Sequence, residues 1–231
     1  MIDAASFATY HNAFWAEYTP TSEHFLRRLN LEYVKRWSLP LGKPKEPIRA
    51  AFVAELAFSR FCAGIDGVPK GEIDKLALAE TGKRLRPLLE DPATLEGPLT
   101  SVEEKQISEL EGTLRSFFTW RATCSVARPL FRGCGYIDTS EGDVLRESCL
   151  FEVKTVDRAF RSIDIRQLTT YCALNHASRQ YKIDSIGVFN PRRGLYFEYL
   201  INDVSREISG RSAQELFDDI VHVISSSGIS R

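Results

Sequence analysis

A mixed α/β domain preceded by a helical extension is the fold class that the sequence predicts. Three observations carry it. Apolar residues recur at helical spacing as far as about residue 121, after which the period shortens to that of strands. The run Cys149-Leu-Phe-Glu-Val-Lys-Thr155 has apolar residues on both sides of its charged pair, as a strand in the middle of a sheet does. From Ser101 onward the segments read in the order α-β-β-β-α-β-β-α.

The segments follow from local chemistry. Thr21-Ser22 is placed to cap a helix with Phe25, Leu29 and Leu31 on its apolar stripe, ending near residues 37–40. Residues 41–47 form a Pro/Gly connection, because proline lacks a donor and restricts its predecessor. Residues 48–62 repeat Phe52, Leu56, Phe58 and Phe61 at helical spacing, and a further helix is expected from about 72 to 89. Residues 91–98 read as a linker. The expected division is therefore a helical extension over 1–98, with no role legible in it, and a second domain over 99–231.

Ser101-Val-Glu-Glu104 fits a capping box for a helix that runs to about Arg121, with Ile107, Leu110, Leu114, Phe117 and Phe118 inward. Residues 126–131, 142–145 and 149–156 read as strands joined by short turns. Residues 162–175 form a helix, 183–189 an apolar strand, and 190–194 a turn into a strand over 195–201. Ser212-Ala-Gln-Glu215 is a second capping box, opening a helix to about residue 224.

Composition bounds the function. A chain of 231 residues can bury a proper core, and 43% hydrophobic with 26% charged residues is ordinary globular usage. A formal net charge of −1 excludes a wholesale polycation, so any nucleic-acid surface must be a local patch. No apolar run reaches about 18 residues, and Met1-Ile-Asp-Ala-Ala lacks a basic-then-apolar leader; no membrane segment and a cytoplasmic location are expected. The five cysteines are scattered without a C-x-x-C pair, which points to free and mostly buried thiols. Thr81-Gly82-Lys83 echoes a phosphate loop but lacks its upstream glycine and its following Ser or Thr.

The chemistry concentrates in one stretch. On a strand, Glu152 and Lys154 leave one face while Phe151 and Val153 leave the other. A tight turn at 146–148 places Asp143 opposite about Phe151 or Glu152 on the next strand. Two carboxylates at that separation repel, and a divalent cation is their natural partner. Gln167 and Tyr171, four apart, share one face of the following helix.

This arrangement resembles the PD-(D/E)XK nuclease superfamily. Glu152-Val-Lys154 matches its (D/E)-x-K element, Asp143 its upstream aspartate, and Gln167-x-x-x-Tyr171 the extra motif of the RecB-like branch. The similarity covers roughly residues 101–201 and implies a restriction-endonuclease-like αβββαβ core. Gly135-Tyr-Ile-Asp138 also matches the G-x-x-D form of the upstream acid; the short turn favours Asp143 and keeps Asp138 as a candidate. The superfamily often adds an acid from the first core helix, for which Glu111 and Glu109 are the candidates.

The resemblance implies a magnesium-dependent deoxyribonuclease, with Mn²⁺ as substitute. Asp143, Glu152 and the Val153 carbonyl would hold the cation, and Lys154, Gln167 and Tyr171 would complete the catalytic set. Such modules commonly work with a protein partner, an ATPase or a recognition subunit, in bacterial restriction, repair or phage-defence systems. Between Leu114 and Tyr196, thirteen Lys/Arg stand against eight acids, and Arg158, Arg161 and Arg166 are placed to track a DNA backbone. The alternative is a nuclease-fold subunit that no longer cuts and serves as a DNA-binding or assembly module.

Overall fold

The computed structural model describes residues 1–226 apart from 45, 92–94, 121 and 123. In chain order the strands are β1 (Lys35–Arg36), β2 (Ser125–Ala127), β3 (Leu130–Phe131), β4 (Ser140–Glu141), β5 (Val144–Arg146), β6 (Cys149–Val153), β7 (Ser185–Asn190) and β8 (Leu195–Leu200). The helices are α1 (Ala4–Tyr10), α2 (Asn12–Tyr18), α3 (Ser22–Arg28), α4 (Ala50–Ile65), α5 (Lys70–Leu85), α6 (Ser101–Thr119), α7 (Ser162–Ser178), α8 (Ile201–Ser209) and α9 (Ala213–Ser226).

Six strands make one mixed sheet in the order β1-β8-β7-β6-β5-β2, while β3 and β4 pair as a separate ribbon. Every neighbouring pair is antiparallel except β6 and β7. Parallel neighbours need a crossover, and α7 supplies it. The chain is thus a mixed α/β fold with helices on both faces of the sheet.

The alternation in β6 sets which side chain meets which layer. Leu150 joins Leu145, Ile186, Val188 and Phe197 in the core beneath α7, to which α1, α2, α3 and α9 also contribute. Phe151 faces the opposite way, into a cluster with Phe58, Phe61, Phe117, Phe118 and Phe189 from α4, α6 and β7. Phe117 stacks on Phe189 with ring centroids 4.0 Å apart, and Phe118 meets Phe151 edge-on at 5.5 Å. Aromatic pairs of this kind add roughly 0.5–1.5 kcal/mol each beyond their area, so these rings hold α6 against the sheet. Gly187, the β7 partner of Phe151, makes room for that ring; a Cβ there would strike the ring and the Phe197 carbonyl oxygen.

Residues 1–98 are woven into the rest of the molecule. β1 extends the sheet by pairing with β8, and Phe7, Trp15 and Phe25 enter the α7-side core. α4 and α5 instead share a core with α6, built from Phe52, Val53, Leu56, Ala77, Leu85, Ile107 and Leu110. The connection near residue 98 therefore joins helices of one layer. Residues 92–94 of the expected linker lie outside the described residues, as do Lys45 in the 41–47 connection and Arg121 at the expected helix end.

Several local expectations shift. After α3 the chain makes a π turn over Leu29–Tyr33, which rotates Leu31 outward to 84% exposure instead of inward. The Thr21 hydroxyl donates to the Glu207 carbonyl at 2.6 Å rather than capping its own helix. The capping box of α6 starts one residue early: the Thr100 hydroxyl accepts from the Glu103 N–H, and the Glu103 carboxylate accepts from the Thr100 N–H, both at 3.1 Å. The strand expected over 126–131 breaks at Arg128, which adopts φ +51°, and the second half turns away to form the ribbon. α8 follows β8 without a break, where the sequence predicts only the end of a strand. The Ser212–Glu215 box stands, with Ser212 N–H donating to Glu215 at 2.8 Å. Thr81-Gly82-Lys83 lies inside α5, and the cysteines are free, three of them buried. Among the described residues no helix is long and apolar enough to cross a membrane.

Candidate functional site

The turn between β5 and β6 decides the site. Glu147 takes φ +54°, and the hairpin pairs Val144 with Phe151. One step further along that register, Asp143 stands across from Glu152. Its Oδ2 accepts the Val153 N–H at 2.7 Å, so the carboxylate is held against the β6 backbone. Asp138 is elsewhere, in the loop between β3 and β4, where its N–H donates to the Ile2 carbonyl at 2.8 Å and its own carbonyl accepts from Ser140.

From Asp143 a chain of polar groups runs to α7. Lys154 Nζ donates to Glu152 Oε1 at 2.7 Å and to Gln167 Oε1 at 3.2 Å, and Gln167 Nε2 donates to the Tyr171 hydroxyl at 2.8 Å. The helical spacing of Gln167 and Tyr171 turns both toward the strand, as their i, i+4 relation requires. Tyr171 is also a core residue, stacked on Phe131 with centroids 5.3 Å apart. The five residues singled out from the sequence are therefore one connected group.

Glu152 and Tyr171 are buried while Asp143, Lys154 and Gln167 are half-buried, and the charges respond. Burial and the neighbouring Asp143 charge push the Glu152 carboxyl up to about 8, against the pull of Lys154. Burial also raises Asp143, opposed by Lys154 and by the Val153 N–H. For Lys154, burial disfavours the ammonium, but Glu152 and Asp143 outweigh it and its pKa rises. Burial likewise raises the Tyr171 phenol. Two carboxyls with a single ammonium between them therefore favour one bound proton near neutral pH.

Glu152 Oε2 is buried without a hydrogen-bond partner. A buried acceptor left unmatched costs about 1–3 kcal/mol, and more when charged. A divalent cation shared by Asp143 and Glu152 would take the place of the proton and satisfy that oxygen. Among the described residues no group of three or more His, Cys, Asp or Glu side chains is arranged to hold a metal. Two carboxylates and the Val153 carbonyl suit Mg²⁺, which keeps several waters; they do not suit a four-ligand zinc site.

A cleft of about 450 Å³ opens beside this group. Asp143, Val153, Lys154 and Thr155 form its floor, and Ala50, Ala54 and Glu55 of α4 form its wall. Glu55 is a residue the sequence reading missed. It is held by Arg128 at 2.9 Å, and its carboxyl is raised by burial, with Asp143 contributing. Its signal was available: Glu55 is the only charge between Ala50 and Ser59.

Other expectations are corrected here. Glu111 pairs with Arg115 at 2.8 Å, and Glu109 lies near Lys105 and Gln106; neither lines the cleft, because α6 turns phenylalanines toward the sheet. Arg158 grips buried Asp164 through two bonds of 2.9 and 3.0 Å, and Asp164 also accepts the Arg161 N–H. Arg166 is half-buried and donates to Asn12 at 2.8 Å. Of these three arginines only Arg161 is exposed, so they do not form a free basic row. No protein-family model matches the chain, and no curated protein matches it.

Proposed function

We propose that this chain is a magnesium-dependent deoxyribonuclease of the restriction-endonuclease-like type, hydrolysing phosphodiester bonds of DNA in company with a protein partner such as an ATPase or recognition subunit. What carries the reading is the placement of Asp143 across from Glu152 on adjacent strands, with Lys154 bonded to Glu152. The order of α6, β2, β5, β6, α7 and β7, with β6 and β7 parallel, supports the αβββαβ core that the reading requires.

Asp143, Glu152 and the Val153 carbonyl would hold the ion, which supplies a water of lowered pKa and offsets charge on the phosphoryl group. Lys154 lies on the floor of the cleft, where its ammonium can donate to a scissile phosphate oxygen or orient the attacking water. Gln167, fixed by Tyr171, sets the direction of that ammonium. Glu152 is closed to bulk water, which strengthens its contact with Lys154.

Plasmid and linear DNA incubated with the purified chain and Mg²⁺ or Mn²⁺ should be cut, and EDTA or Lys154→Ala should stop the cutting. Cutting that survives Glu152→Ala in EDTA would overturn the reading. DNA binding without any metal-dependent cutting would transfer the conclusion to an inactive binding or assembly subunit.

A further inference from the structure

Three separate segments bring cations to one end of the sheet, next to the cleft. Lys35 and Arg36 form the exposed edge strand β1, paired with Tyr196 and Leu195 of β8. Arg192 and Arg193 lie in the turn between β7 and β8. Lys43 comes from the connection before α4, whose Leu41 N–H donates to the Arg192 carbonyl at 2.8 Å.

This end of the sheet is tied to the floor of the cleft by Asn190. Its side-chain amide donates to the Val156 carbonyl at 2.6 Å, and its Oδ1 accepts the Arg193 N–H at 3.0 Å. Val156 is itself a cleft residue, two positions beyond Lys154. Arg36 in turn reaches the Arg193 carbonyl. The β7–β8 turn and the segments bonded to it therefore adjoin the cleft through main-chain and amide contacts.

Their countercharge is incomplete. Lys43 pairs with Asp157 at 3.1 Å, both side chains well exposed. Arg192 is half-buried, yet the hydrogen bond its guanidinium makes goes to neutral Gln106, at 3.0 Å. Burial lowers its pKa, with Asp157 and Glu109 only partly offsetting the loss of water. Among the described residues no ion pair engages Lys35, Arg36, Arg192 or Arg193, so the rim carries more cation than acid beside the carboxylates of the cleft. A polyanion is the partner that such a rim suits, and one already placed at the cleft by its scissile bond is the DNA itself.

We propose that the rim of Lys35, Arg36, Lys43, Arg192 and Arg193 carries the phosphate backbone of the duplex that enters the cleft. The proposal rests on the nuclease reading. It moves the DNA track from the start of α7, where Arg158 and Arg166 are engaged with the protein, to the β7–β8 end of the sheet.

The test is binding of a fluorescein-labelled duplex in EDTA, followed by anisotropy across a salt series. A triple variant, Lys35→Gln, Lys43→Gln and Arg193→Gln, should flatten the plot of log affinity against log salt by about three units, with affinity near 0.1 M salt falling on the order of tenfold or more. A control triple, Lys70→Gln, Lys75→Gln and Lys182→Gln, removes equal charge from exposed positions away from the rim and should leave the slope unchanged. Equal slopes for the rim variant and the parent, or equal losses in the two triples, would overturn the rim assignment while leaving cleavage by the parent to support the nuclease reading. A parent chain that binds no duplex at any salt would overturn both.

Discussion

Glu103 and Glu152 are closed to solvent almost equally, at 2% and 3% exposure, and they behave in opposite ways. Glu103, beneath Arg49 at the start of α6, accepts from the Arg49 guanidinium at 2.8 and 2.7 Å, from the Arg49 N–H and from the Thr100 N–H. These bonds draw its carboxyl down to about 2. Glu152 has one bond, from Lys154, and an oxygen with no donor; burial, with Asp143 as a second carboxyl beside it, raises it to about 8. The difference separates a carboxylate that the fold has completed from one it has left incomplete. Glu103 ties the connection before α4 to the start of α6, whereas Glu152 keeps one oxygen without a donor.

The largest expected effect is at the incomplete site. Lys154→Ala should reduce DNA cutting on the order of 10²–10⁴-fold, measured as initial rate of plasmid nicking in Mg²⁺, while the melting profile stays cooperative. Next comes the completed site: Arg49→Ala leaves Glu103 buried without its cation and should cost about 3–5 kcal/mol, read as a lowered urea midpoint at pH 7. Loss of only a few tenths there would break the comparison, because Glu103 would then be no better satisfied than a surface acid.

A third test uses pH. The folded chain keeps a proton on Glu152 that the unfolded chain releases above its ordinary value of 4.5, so this group favours folding at low pH. Its contribution declines as pH rises through that window and is lost above about 8. Glu103, lowered to about 2, contributes above its ordinary value and loses that contribution as pH falls from about 4.5 toward 2. In EDTA, melting temperatures from about pH 6 to about pH 9 should fall more steeply for the parent than for Glu152→Gln. Parallel curves would show that Glu152 is ionised throughout. The smallest effect is expected from Glu111→Ala, which breaks a helix-surface pair with Arg115 worth about 0.5 kcal/mol or less and should leave metal-dependent cutting unchanged.

What could be read from the sequence was governed by range. The β5–β6 hairpin was legible because a two-residue side-chain period and a short turn leave little freedom of register. Gln167 and Tyr171 were legible for the same reason at helical period. β1 was not: Lys35 and Arg36 have no strand signature, and their pairing comes from β8, some 160 residues away in sequence. Leu31 misled because the π turn shifts the phase of the helix by one residue. Glu55 is marked locally as a lone charge in an apolar helix, but nothing local says that α4 borders a cleft built from β5 and β6. The arginines differ: their charge is visible in the sequence, while the pairing of Arg158 with Asp164, six residues on, arises only in the fold.

Gly187 has a consequence for how this molecule would change under selection. Any side chain at that position would displace Phe151, and Glu152 is bonded to the next backbone unit, so the carboxyl would move with the ring. A scan of all single substitutions would then score Gly187 as unforgiving as Glu152 in an activity assay, although it carries no chemical group at all. Drift in this lineage would be expected to spare both positions alike, and only an assay that separates folding from turnover would tell the empty position from the acidic one.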